Sequence, residues 1–272
     1  MTHRELEAYL QRIALVGPVE ASLRTLRALV QAHAAAIPFE NLNPFLALPV
    51  SIEPAAIFAK LVSDHRGGYC FEQNLLLLDV LETIGFAASG LAARVLWQQA
   101  EDAITPRGHM LLRVEIAGFT HVVDVGFGGM TLTGVLRLEN GVEQATPHEP
   151  FRLRAKEGDW LLQARVREAW HTLYRFDLQR QYRVDYRAAN YYLSTYPESH
   201  FRTGLLVARS LPGFRLALRN VELARHHSDG TTDRTVLTST QELRQTLEQD
   251  FKLRLPDLPQ LDRRLAALVS SE

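Results

Sequence analysis

Apolar residues recur at helical spacing through the first third of the chain and at strand spacing after it. Leu6, Tyr9, Leu10 and Ile13 share one helix face, and Thr2 with Glu5 has the pattern of a capping box. Leu23, Leu26, Leu29 and Val30 mark a second helix. The spacing of Ile57 and Leu61 predicts a third from Pro54 towards Ser63. A fourth starts near Cys70, carries Leu75 to Leu78 and stops at Gly85, a residue suited to a left-handed C-cap.

Beyond Gly85 the period changes. Ala87–Trp97, His109–Ile116 and Thr120–Val125 are short, rich in branched residues and bounded by turn residues, as strands are. Asn140-Gly141 is a hairpin signal, and Glu157-Gly158-Asp159 predicts another turn. Strands running to about Phe176 imply a mostly antiparallel sheet or a small barrel. A short helix is expected over 185–195, then strands at Leu205–Arg209, Phe214–Leu218 and Val221–Ala224, with a turn at Asp229-Gly230. Ser239 and Glu242 suggest a second capping box, and a helix through Leu265–Val269 closes the chain. Helices, then strands, then a mixed tail read as α+β, in units of about 1–85, 86–185 and 186–272.

Composition narrows the function. With 272 residues, 46% hydrophobic and 22% charged, the chain can bury substantial cores. Lys and Arg number 30 against 31 Asp and Glu, so the counterion-releasing surface that nucleic acid demands is not expected, save for a local patch such as Arg263-Arg264. One cysteine precludes an intrachain disulfide and fits a reducing compartment. The N-terminus reads as an amphipathic helix rather than a signal peptide, and the apolar run Leu75–Leu78 is far too short to span a bilayer. A soluble, cytoplasmic protein is expected. Nothing in the pattern indicates an oligomeric state.

The segment His65-Arg66-Gly67-Gly68-Tyr69-Cys70-Phe71-Glu72-Gln73-Asn74 carries the most chemistry. Two glycines allow a tight turn, and the cysteine then meets the positive end of a helix dipole, which favours the nucleophilic thiolate. A buried, inert cysteine remains the plain alternative. His109 begins one predicted strand and Asp124 stands near the end of the next, so an antiparallel pair would bring those ends side by side. Alternation in Val122-Val123-Asp124-Val125 sets Asp124 apart from Val123 and Val125, and a carboxylate among valines needs a partner. Against this, ten histidines make a Cys-His-Asp order easy to meet by chance. Gly126-Phe127-Gly128-Gly129 can bring backbone amides to an oxyanion or phosphate, or can be a plain turn. With one cysteine, a structural metal module is disfavoured, because zinc usually takes four ligands. A cysteine hydrolase or transglutaminase-like amidase could use the same three residues.

Together these segments resemble the arylamine N-acetyltransferase family. The resemblance runs through Ile37-Pro38-Phe39-Glu40-Asn41-Leu42, the Arg66–Asn74 block, His109, Val123-Asp124-Val125-Gly126-Phe127-Gly128, Asn190–Thr195 and Pro197–Phe201, in family order over most of residues 1–205. It implies a helical bundle, a β-barrel and an α/β lid, with Cys70 as nucleophile, His109 as base and Asp124 as orienting acid. Acetyl-CoA is the implied donor, with arylamines, hydrazines or arylhydroxylamines as acceptors and no metal. Gly126, Phe127 and Gly128 are implied near the CoA pyrophosphate or acyl pocket, and Phe201 against the cofactor. Glu40 and Arg66 match positions that would pair to staple the loop before Cys70.

Overall fold

The computed structural model describes residues 1–270. The helices His3–Arg12, Leu23–Ala36 and Cys70–Ile84 pack around Leu6, Tyr9, Leu26, Leu29, Phe71, Leu75 and Leu77. The first begins with the expected reciprocal box of Thr2 and Glu5, and the last ends on Gly85 at φ 102°. Pro54–Phe58 runs on as the wider turns of Ala59–Ser63, so the segment expected as one helix changes pitch midway.

Eight antiparallel strands follow, in the spatial order Leu136–Arg137, Phe119–Val123, His109–Ile116, Ala87–Val95, Ala169–Phe176, Asp159–Val166, Phe151–Lys156 and Glu143–Gln144. The sheet curls into a nearly closed barrel. The Asn140-Gly141 turn joins its two edge strands without a backbone ladder between them. Instead the Gln144 amide spans the seam, accepting from Arg137 N–H at 2.8 Å and donating to Arg137 C=O at 2.8 Å. The expected hairpin is therefore the closing seam of the barrel, because both strands already pair on their other sides.

Strand alternation decides what the barrel shows to the helices. Met110, Leu112, Val114, Val123 and Val125 belong to the core shared with the bundle, whereas Leu111 and Val122 join Leu91, Phe151, Leu162 and Tyr174 inside the barrel. The same parity turns His109 and Asp124 towards the barrel interior.

The remaining chain forms a second antiparallel sheet, ordered Phe39–Glu40, Leu206–Leu211, Phe214–Arg219, Glu222–His227 and Thr232–Val236. Its outer two elements were not expected. Phe39–Glu40 is only a two-residue strand, and Thr232–Val236 follows the Asp229-Gly230 turn with too little apolar alternation to register. Leu42, Phe45 and Leu46 leave the bundle and pack with Leu243, Leu247, Phe251, Leu261 and Leu265 of the C-terminal helices. Only half of the second expected box forms: Ser239 Oγ accepts Glu242 N–H, while the Glu242 carboxylate reaches past the cap to Thr238 N–H.

Buried Asn41 ties this unit to the N-terminal segment. It donates to Phe201 C=O at 2.8 Å and Gly204 C=O at 2.7 Å, and accepts from Leu206 N–H at 2.7 Å. Beside it, Glu40 accepts from Arg66 Nε at 3.1 Å and Nη2 at 2.8 Å, and from Leu42 N–H. Burial pushes the Glu40 carboxyl up, but Arg66, Lys60 and the Leu42 amide overcome it and hold it below its ordinary range. Since Glu40 is 1% exposed, losing the guanidinium strands a charge. Arg66→Met should therefore cost roughly 3–5 kcal/mol in denaturant unfolding, and Glu40→Gln/Arg66→Met less than the sum of its parts. A loss below about 1 kcal/mol for Arg66→Met would mark the pair as a solvated one.

Candidate active site

The chain reaches Cys70 through a loop with almost no spare room. Neither glycine of the Gly67-Gly68 pair has a positive φ; His65 takes the left-handed turn instead, at φ 51°. The glycines are required for close approach: a Cβ on Gly67 would lie 2.1 Å from Pro38 O, and one on Gly68 2.7 Å from Glu72 Oε2. This corrects the expectation that they supply the turn itself. Cys70 is the first residue of its helix and is 3% exposed. The Glu72 carboxylate accepts the Tyr69 N–H at 3.1 Å and so caps the preceding residue.

Cys70, His109 and Asp124 come together where the bundle meets the barrel mouth. Cys70 Sγ lies 3.7 Å from Gly108 O, and the Cys70 side chain is near enough to the His109 ring to raise its proton affinity. His109 Nε2 lies 2.7 Å from Asp124 Oδ2, which leaves Nδ1 as the ring nitrogen for the sulfur. Asp124 is 0% exposed, yet both its oxygens are saturated. Oδ2 also accepts from Tyr174 Oη at 3.0 Å, and Oδ1 from Asn74 Nδ2 at 2.9 Å and Gly126 N–H at 2.8 Å.

The electrostatics follow from those contacts. Burial drives the His109 imidazolium towards the neutral form, but the Asp124 charge, the hydrogen bond to it and the contact with Cys70 hold the ring up to about 10. Burial likewise raises Asp124, and His109, Asn74 and the Gly126 amide bring it below its ordinary value. Burial, then Asp124, pushes the Tyr174 phenol well up, so it stays a donor to the carboxylate. An imidazolium–carboxylate pair is the resting state at neutral pH.

The glycine segment joins this site. A Cβ on Gly126 would lie 2.7 Å from Cys70 Cα and 2.8 Å from Asn74 Nδ2, so the loop packs directly on the helix start. The Phe127 ring meets His109 edge-on at 5.2 Å between centroids and Tyr174 at 5.3 Å. Gly128 turns at φ 86° against the Phe39 ring. Phe201 stands edge-on to Tyr69 at 5.4 Å and tilted against Phe39 at 6.1 Å. A cavity of about 300 Å³ lined by Lys60, Asp64, Arg66 and Glu72 contains none of the three. Among the described residues, no group of three or more His, Cys, Asp or Glu side chains is placed to hold a metal ion. Nor is any described helix long and apolar enough to cross a membrane.

Two partners of Asp124 escaped the sequence reading. Asn74 closes the Arg66–Asn74 segment, and its position four residues after Cys70 puts both on one helix face, the signal that could have found it. It bridges the elements, donating also to Met110 C=O at 2.8 Å and accepting from Val125 N–H at 3.2 Å. Tyr174 lies fifty residues from Asp124, across the barrel, and no local pattern marks it.

Comparison with known proteins shows the family to which the chain belongs. A model of the N-acetyltransferase family matches residues 22–259. The arylamine N-acetyltransferase of Mycolicibacterium smegmatis is 44% identical over 258 residues, covering 93% of this chain and 94% of that protein. The structure of the Salmonella typhimurium arylamine N-acetyltransferase superposes with a TM-score of 0.92 at 36% identity over 100% of both chains. That of Mycobacterium marinum arylamine N-acetyltransferase in complex with CoA gives 0.91 at 39% identity over 98% of each. With the family model spanning most of its length and such relatives aligned almost end to end, the chain belongs to the arylamine N-acetyltransferase family.

Proposed function

We propose that this protein moves an acetyl group from acetyl-CoA to arylamines, hydrazines or arylhydroxylamines by way of acetyl-Cys70. The observation that supports this most is the 2.7 Å contact of His109 Nε2 with buried Asp124, on a ring that also meets Cys70 at the head of a helix. With the Cys70 proton already held on His109, the thiolate attacks the thioester carbonyl. Backbone amides at the helix start, that of Cys70 among them, hold the oxyanion. The carbon–sulfur bond to CoA breaks, and His109 returns the proton to the departing thiolate.

Acylation resets the base. Two of the influences that raise His109 come from Cys70: its hydrogen bond and its charge. Both vanish once sulfur carries an acetyl group, so the ring's proton affinity falls and neutral imidazole becomes accessible. The amine then attacks the acetyl carbon, His109 takes its proton, and that proton goes to the sulfur as the amide leaves. Aromatic amines suit this step because they are largely neutral at pH 7.

Phe127 against His109 suits an acyl or aryl pocket wall. Gly126 and Gly128 suit a close backbone approach to the donor, and Phe201 a flank of the cofactor. The cleft lies between units at 1–85 and 86–185, with 186–272 as lid. A near-balanced charge and the lack of a long apolar helix among the described residues support a soluble, cytoplasmic enzyme whose partners are small molecules, not nucleic acid or membrane.

Mixing the protein with acetyl-CoA alone should add one acetyl mass to the Cys70 peptide, and an arylamine should remove it. Cys70→Ser should stay folded and lose transfer by on the order of 10⁴-fold or more. Acetylation elsewhere, or p-nitroaniline release from acyl anilides without CoA at comparable rate, would point to an amidase. His109→Gln should slow iodoacetamide labelling of Cys70 at pH 6.5 by at least about tenfold, because the sulfur loses its proton acceptor. Equal labelling rates would remove the ion pair from the mechanism.

A further inference from the structure

Behind the nucleophile lies a second polar chain that the proposed mechanism does not use. Tyr9, His33 and Gln73 are each 0% exposed, and each stands on a different helix of the bundle. Gln73 Nε2 donates to Pro38 C=O at 2.7 Å and Gly68 C=O at 3.1 Å, with Ile37 C=O a longer third acceptor at 3.4 Å. These carbonyls take both amide hydrogens, which places Oε1, an acceptor, on the opposite side facing His33.

His33 Nε2 lies 2.6 Å from that oxygen and must therefore carry the ring proton. His33 Nδ1 is then an acceptor, and Tyr9 Oη, at 2.8 Å, donates to it. Every donor and acceptor is assigned, and the direction of the chain is unique: Tyr9 to His33 to Gln73 to the two carbonyls. Burial lowers His33 to about 4, so a single ring proton is its state at neutral pH.

The carbonyls at the end of the chain belong to the loop that delivers Cys70. Pro38 O faces Gly67 so closely that a Cβ there would lie 2.1 Å away, and Gly68 is two residues before the sulfur. Gln73 itself sits in the first turn of the nucleophile helix. The carbonyls alone decide which end of the Gln73 amide faces the loop, and the His33 donor at Oε1 fixes how far that amide reaches and how it tilts. Without that donor the amide can shift, and the loop it holds shifts with it.

We infer that His33 is a positioning residue: by donating to Gln73 Oε1 it holds the Gly67-Gly68 turn, and through it Cys70, in the geometry for attack. This rests on Cys70 being the acyl acceptor. His33 is fully buried and bonded to Tyr9 and Gln73, so its effect falls on the acylation step and not on donor binding.

Asn and Gln at position 33 carry the same amide and differ in reach. In His33→Gln the amide can donate to Gln73, and in His33→Asn it is too short. The rate of Cys70 acetylation at saturating acetyl-CoA should fall at least about tenfold in His33→Asn, as a misplaced nucleophile demands. It should stay within about threefold of wild type in His33→Gln, with the half-saturating donor concentration unchanged in both. Leu265→Ala, in the C-terminal core, serves as a destabilised control whose rate per folded molecule is unchanged.

Equal rates in His33→Asn and His33→Gln, or a loss matched by Leu265→Ala, would overturn the inference. If neither position-33 variant folds, Gln73→Leu reads the same link from its other end, and a wild-type rate there overturns it too. Failure of the wild-type protein to acetylate Cys70 would instead remove the reading on which the inference rests.

Discussion

A single buried carboxylate governs how this molecule is assembled. Asp124 cannot lie at 0% exposure among valines unless its charge is answered, and four groups answer it: His109, Tyr174, Asn74 and the Gly126 amide. They come from two barrel strands, the nucleophile helix and the loop after Asp124 itself. Satisfying one charge thus fixes the barrel mouth against the helix start. The packing around it tolerates little change, since a Cβ on Gly126 would lie only 2.7 Å from Cys70 Cα.

Strand parity makes this possible at a hydrophobic interface. Met110, Leu112, Val114, Val123 and Val125 seal the bundle against the barrel wall. The intervening positions turn the other way, so His109 and Asp124 stay buried while facing the barrel mouth. The aromatic rings of Phe127 and Tyr174 line the imidazole on that side and keep its surroundings apolar. Low polarity there strengthens the imidazolium–carboxylate attraction that burial alone would oppose.

The segment between the second helix and the cysteine joins all three parts of the chain. Phe39–Glu40 adds a strand to the C-terminal sheet, Asn41 ties that sheet down near Phe201, and Glu40 anchors Arg66. Pro38 meanwhile accepts from Gln73 on the nucleophile helix. Chain entering the site is thus held by charge on one side and by a neutral amide on the other.

The sequence by itself determined the elements and the chemistry they carry. Helical spacing around Leu26, Leu29 and Val30, the Gly85 stop, and the strand His109–Ile116 are local properties, set by period and by backbone sterics. Antiparallel pairing and alternation made His109 and Asp124 readable as neighbours, whereas Cys70 joined them only through the family resemblance. Tertiary structure decided what local rules do not reach. Only closure of the barrel brings Tyr174 to Asp124, and only helix packing aligns Tyr9, His33 and Gln73. The two-residue strand at Phe39 exists because a distant strand, Leu206–Leu211, offers its edge. Hydrogen-bond partners far apart in the chain leave no periodic trace, so their pairing appears only once the cores have formed.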